Sequence, residues 1–227
     1  MNDLATTLVP LAIATAVLPI QVAITILMLR SAGGRSKAGA LIAGMTLVRL
    51  LQYAVFGLML ARAMDDAVTG TSPAEGALLL VVGVLLLASA GRKLVGQPDE
   101  DAAPPRWMTM VDGITAGRAF LMGAGLVALS PKLWAFTLGA IGAIQDAELD
   151  PAAGWAVFFV WVVAAEALHL LAWLAALVAP ARADVALARA GDVLERHSRA
   201  VMIGVGLVFG AWFLLKAIAA FGLGLGD

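Results

Sequence analysis

Along this chain the apolar residues neither alternate nor fall on one helical face; they run in long blocks with short polar breaks between them. Six blocks, at roughly 4 to 29, 38 to 61, 74 to 95, 118 to 145, 152 to 179 and 200 to 222, reach the ~20 mainly apolar residues a helix needs to cross a bilayer. In hydrocarbon a helix satisfies its own backbone hydrogen bonds. The pattern therefore predicts an all-α integral membrane protein with six transmembrane helices. The opening stretch MNDLATTLVP carries no basic residue, and the apolar run from Ala5 to Leu29 reads as an uncleaved first span, not as a signal peptide.

Composition agrees: 62% of the 227 residues are hydrophobic, 14% are charged, and the mean hydropathy is +0.95, which leaves no room for a soluble domain. The absence of cysteine excludes thiol redox chemistry and thiolate metal sites. No phosphate-binding glycine loop, Ser-His-Asp set or HExxH motif occurs. We therefore expect no catalytic residues, no cofactor, no metal site and no nucleic-acid partner, so the chain does not read as an enzyme. An ATP-driven mechanism would need a separate subunit.

The charges are unevenly placed. Arg30, Arg35 and Lys37 follow the first block, Arg92, Lys93, Arg106 and Arg118 surround the third loop, and Arg182, Arg189, Arg196 and Arg199 fall in the fifth. The second loop holds only Arg62, and the fourth carries Asp146, Glu148 and Asp150 with no base. By the positive-inside rule loops 1, 3 and 5 face the cytoplasm, and both termini face outward from a bacterial plasma membrane.

The two halves of the chain share a pattern. Pro19, Ala23 and Thr25 of the first block recur as Pro131, Ala135 and Thr137 of the fourth. Arg49 and Gln52 fall opposite Glu166 and His169, and Gly83, Ala88 and Lys93 opposite Gly206, Ala211 and Lys216. The offset grows in order, from 112 through 117 to 123, as small insertions between equivalent helices would make it. A duplicated unit of three helices must enter the membrane from opposite sides, so we expect two inverted-topology repeats, 1–95 and 118–227. Residues 96–117, rich in proline and charge, read as the cytoplasmic linker. Within the second half, 181–199 reads either as a helix lying along the cytoplasmic interface or as a solvated connector.

Charged and polar residues inside apolar blocks are rare and normally face a partner or a wet cavity. Arg49, Lys132 and Glu166 fall near the middle of their blocks; Gln52 lies three residues after Arg49 and His169 three after Glu166, so each pair shares a helix face. An Arg49–Glu166 ion pair across the repeat axis is expected, either as a working element or as a fixed structural pair. His169 reads as a satisfied interior residue or as a proton carrier, and Lys93 and Lys216 as snorkelling cations. Pro19 and Pro131 break their helices and would free backbone groups. Pro19, Gln21 and Thr25, with Ser130, Pro131, Lys132 and Thr137, would then line one shared polar cavity, neutral to positive and suited to an anion.

The segment SPKLWAFTLGAI resembles the Asn-Pro-Lys segment opening the second half of the lysine exporter superfamily, with Ser130 in place of the asparagine. AIATAVLPIQVAITILML resembles the proline-bearing first span of its members, although Leu18-Pro19-Ile20 stands where amino-acid exporters tend to have Pro-Gly-Pro. With its length, its central linker and the late GAWFLLKAI, the whole chain is most similar to the glycolipid-addressing protein family, which includes sulfolipid-addressing proteins. That resemblance implies movement of an envelope lipid or glycolipid to the cell surface, and the first reading is a secondary exporter or flippase of an anionic lipid or glycolipid using proton movement through Glu166, with or without His169. The alternatives are an exporter of amino acids or small metabolites, and an accessory subunit of a lipid-export complex. Expected partners are membrane lipids or the anionic lipid substrate, a second copy of the chain, or lipid-export machinery. A lateral, lipid-facing opening beside Pro131 would favour the lipid reading and a closed, water-sized cavity the metabolite reading.

Overall fold

The computed structural model describes residues 2–57, 73–95 and 113–220. The end of the second block, the second loop with Arg62, nearly all of the linker and the last residues of the sixth block lie outside the described residues. Among the described residues the regular structure is entirely helical: α1 (Asn2–Ala16), α2 (Pro19–Arg30), α3 (Gly34–Gln52, continued by one π-helical turn over Tyr53–Gly57), α4 (Pro73–Val95), α5 (Ala116–Ala128), α6 (Pro131–Asp146), α7 (Pro151–Ala165), α8 (Ala167–Val178) and α9 (Pro180–Ala220).

Two stretches, Gly34–Gly57 and Arg199–Ile218, are long and apolar enough to cross a membrane unaided. Three further candidates are bent pairs: α1 with α2 at 51°, α5 with α6 at 71°, and α7 with α8 at 65°. Counting each pair as one span gives up to five among the described residues. The prolines explain two of the bends. Pro19 and Pro131 each occupy the first turn of the second helix of a pair, where the missing N–H costs nothing and the fixed φ suits the helix start. The break leaves carbonyls at the end of the preceding helix, and across the α5–α6 break the Trp134 indole donates to the Ala128 carbonyl at 2.8 Å. The third bend, at Glu166, has no proline or glycine.

Close helix contacts fix the frame. α3 crosses α5 through Gly44 and Gly123: a Cβ on Gly44 would meet the Phe120 carbonyl, and one on Gly123 the Leu41 carbonyl. α4 packs along α9, where Gly206 faces Leu86 and Ala90 and Gly210 faces Leu87. The Arg199 guanidinium donates to the Lys93 carbonyl at 2.8 and 3.0 Å, which sets the end of α4 level with the start of the apolar part of α9. Residues 181–199 are helical and continuous with the sixth block within α9; Ala183 and Leu187 are buried on its inner side, and Arg182, Arg189 and Arg196 are exposed.

Candidate functional site

The fold draws the polar residues of four apolar blocks to one buried point. Arg49 projects from α3 and Glu166 occupies the break between α7 and α8, and each is about 1% exposed. The Arg49 Nε donates to Glu166 Oε1 at 3.2 Å, forming a buried ion pair. A second guanidinium nitrogen, Nη1, donates to Thr137 Oγ1 on α6 at 3.4 Å, and the guanidinium carbon stands 5.7 Å from the Trp161 ring centre on α7. The other carboxylate oxygen, Glu166 Oε2, is 2.7 Å from the Thr46 hydroxyl, one helical turn before Arg49. In a low-dielectric interior each charge is thereby neutralised and hydrogen-bonded.

A second contact set adjoins the first. His169, also buried, is one turn beyond Glu166 on α8, and its Nδ1 lies 3.0 Å from Thr25 Oγ1 on α2. Gln21 lies one turn before Thr25 and Gln52 three residues after Arg49; both are buried. The side-chain amides of Gln21 and Gln52, the Trp161 indole nitrogen and His169 Nε2 have no hydrogen-bond partner among the described residues. Orphaned polar atoms cost about 1–3 kcal/mol each in a dry interior.

Five of the residues expected from sequence are therefore brought together here, Thr25, Arg49, Thr137, Glu166 and His169, and Gln21 and Gln52 are buried one turn away on α2 and α3. Pro19 is buried at the start of α2 and shapes the chain beside them. Ser130, Pro131 and Lys132 do not join the cluster. Pro131 and Lys132 line a separate cavity of about 470 Å³ between α4 and α6. Its walls include Leu85, Leu86 and Ala135, and Arg92, Lys93 and Lys132 bring three cations to it. The single shared cavity expected from sequence is thus two sites. Lys132 falls near the middle of its block, but the bend at Pro131 brings it to the level of the last turn of α4, among the cations there.

Two members of the buried site, Thr46 and Trp161, were not singled out in the sequence. Thr46 stands three residues before Arg49, the spacing that already selected Gln52, and could have been found that way. Trp161 lies in the run WAVFFVWVV and carries no local signal.

Apolar helices broken around a buried, hydrogen-bonded ion pair define a polytopic helical membrane protein with a polar centre. The sulfolipid-1-addressing protein family matches residues 8–219, nearly the whole length, and the chain belongs to that family. No curated protein and no solved structure matches it.

Proposed function

We propose that this protein is a secondary transporter that exports or flips an anionic lipid or glycolipid toward the cell surface, driven by protons. In this reading it lies in the bacterial plasma membrane as two inverted three-helix repeats with both termini outside. Family membership supports the lipid class of the cargo. The arrangement of the buried polar residues supports transport: paired charges at the meeting point of interrupted helices from both halves suit a substrate and ion pathway.

The observation that carries proton coupling is a pair of threonine hydroxyls. Thr46 Oγ1 lies 2.7 Å from Glu166 Oε2 and 2.9 Å from the Ile42 carbonyl. Thr25 Oγ1 lies 3.0 Å from His169 Nδ1 and 3.0 Å from the Gln21 carbonyl. A hydroxyl has one hydrogen, so each threonine can donate to only one of these neighbours at a time. With Glu166 ionised, Thr46 donates to the carboxylate; with Glu166 protonated, the carboxyl donates to Thr46 and the hydroxyl turns to Ile42. The same rotation at Thr25 serves a His169 whose Nδ1 either accepts or donates. Both titratable groups can then change protonation while their heavy atoms stay in place and their bonds to the threonines persist, as a coupling site requires.

Reconstitution tests this reading. Proteoliposomes containing a fluorescent phosphatidylglycerol should expose it to an external quencher faster than empty liposomes do, an imposed pH gradient should change that rate, and Glu166→Gln should remove the dependence on the gradient. No translocation above the lipid control, or movement of labelled amino acids in its place, would overturn the lipid-transport reading.

A further inference from the structure

The cationic cavity between α4 and α6 has no part in the proton-coupling geometry, yet it gathers three positive groups where the fold gives them little reason to gather. Lys93 and Lys132 are close enough to repel. Lys132 lies in the first turn of the 16-residue α6, the positive end of that helix, where a cation is disfavoured. The N-cap residue Ser130 makes no side-chain capping bond, so backbone N–H groups of that turn are not engaged by it. Among the described residues none of the three cations has a carboxylate within ion-pair distance. Every one of these features is unfavourable alone and becomes favourable around an oxyanion.

The walls identify what carries the oxyanion. Leu85, Leu86 and Ala135 line the same cavity, and the face of α4 beside it continues outward through Val81, Val84 and Leu85, each at least half exposed. A volume of about 470 Å³ falls in the usual range of small-ligand sites. A free anion gains nothing from such walls; an amphiphile places its head among the cations and its chain along α4. We propose that Arg92, Lys93 and Lys132 form a binding site for the head group of an anionic lipid, which enters sideways from the bilayer past α4. Recognition of the cargo is thereby separated from the buried Arg49–Glu166 pair. The proposal rests on the transport reading for the identity of the bound lipid as cargo, and the binding itself is tested apart from transport.

The experiment uses the full chain in nanodiscs of mixed phosphatidylglycerol and phosphatidylcholine, with the lipid retained on the protein counted by native mass spectrometry. Phosphatidylglycerol should be enriched over the bulk ratio, and Lys132→Met and the pair Arg92→Gln with Lys93→Gln should each lower the enrichment, by roughly fivefold per cation removed. Thermal unfolding of the variants confirms that they are folded, and Lys132→Arg should retain most of the enrichment because the charge is kept. Equal enrichment in parent and folded variants overturns the site. Displacement of the lipid by millimolar inorganic phosphate overturns the lipid assignment in favour of a free anion. Enrichment that emerges only when Asp99, Glu100 and Asp101 are neutralised also overturns it, since the linker would then be the occupant. Translocation lost with binding intact would count against the transport reading and leave this site standing; the converse would leave transport standing without it.

Discussion

Arg49 and Glu166 hold each other because an unpaired charge is costly at that depth. Removing one partner of a buried pair typically costs about 3–5 kcal/mol, most of it the penalty of the charge left behind. Arg49→Met and Glu166→Gln should each lower the thermal midpoint sharply, and the double variant should recover about 1–3 kcal/mol relative to the sum. Strict additivity in that cycle would show that the contact at 3.2 Å does not operate in the membrane. Thr46 permits a finer test: Thr46→Val keeps the shape and removes the hydroxyl, so the fold should lose only about 1 kcal/mol. Translocation should lose its response to a pH gradient, and a Thr46→Val protein that responds like the parent would remove the hydroxyl from the coupling scheme. At this scale the site was legible from the residues because polar groups in apolar helices have few places to go. Gln21, Thr25, Arg49, Gln52, Thr137, Glu166 and His169 were all marked by polarity alone. Lys132 was placed among them for the same reason, and depth counted along a straight helix misleads where the helix bends.

Those bends belong to the elements, and they were legible only in part. Pro19 and Pro131 marked two of them, since a proline mid-block cannot continue the ladder and readily begins a new helix. The bend at Glu166 lies in VVAAEALHL, a sequence with no local reason to break. There the carboxylate is held by Arg49 and Thr46 on another helix, a tertiary cause that no window of nine residues contains. Glycine contacts are similar: the chain has 24 glycines, and which of them matter depends on what crosses them. Gly44 and Gly123 lie where α3 and α5 cross with backbone against side-chain position, while a Cβ on Gly125, two residues further along α5, would meet nothing within 4 Å. Gly44→Ala and Gly123→Ala should each destabilise by about 1–3 kcal/mol through overpacking. Gly125→Ala should be neutral or stabilise by up to about 1 kcal/mol, through helix propensity alone. Thermal unfolding in detergent checks all three, and equal behaviour of Gly123→Ala and Gly125→Ala would mean that the α3–α5 crossing is looser than described.

Over the whole molecule, one contact of the buried site, the Arg49–Glu166 pair, fits the proposed repeat. In the proposed repeat Thr25 and Thr137 are equivalent positions, and each reaches a residue of the other half: Thr25 to His169, Thr137 to Arg49. Arg49 and Glu166 are also equivalent in that proposed repeat, and they meet each other. A pseudo-twofold axis lying in the membrane plane, passing between Arg49 and Glu166, would carry the Thr25–His169 contact onto Thr137 and Gln52, whereas Thr137 bonds to Arg49, so only the Arg49–Glu166 contact is symmetric about it. Such an axis requires an odd number of crossings per half, and in the proposed topology, with α5 and α6 as one crossing, the linker and the loop between α6 and α7 lie on opposite sides of the membrane. The basic residues point the same way, with Arg92, Lys93 and Arg118 flanking the linker while Asp146, Glu148 and Asp150 mark the other loop. Because the chain contains no cysteine, single cysteines report without background. Ala103→Cys should resist a membrane-impermeant maleimide on intact cells and react once the membrane is opened. Leu149→Cys, 37% exposed in the acidic loop, should react on intact cells. Labelling of both from the same side would leave an even number of crossings between them, and neither the inverted repeat nor the exchange of contacts between its halves would survive that result.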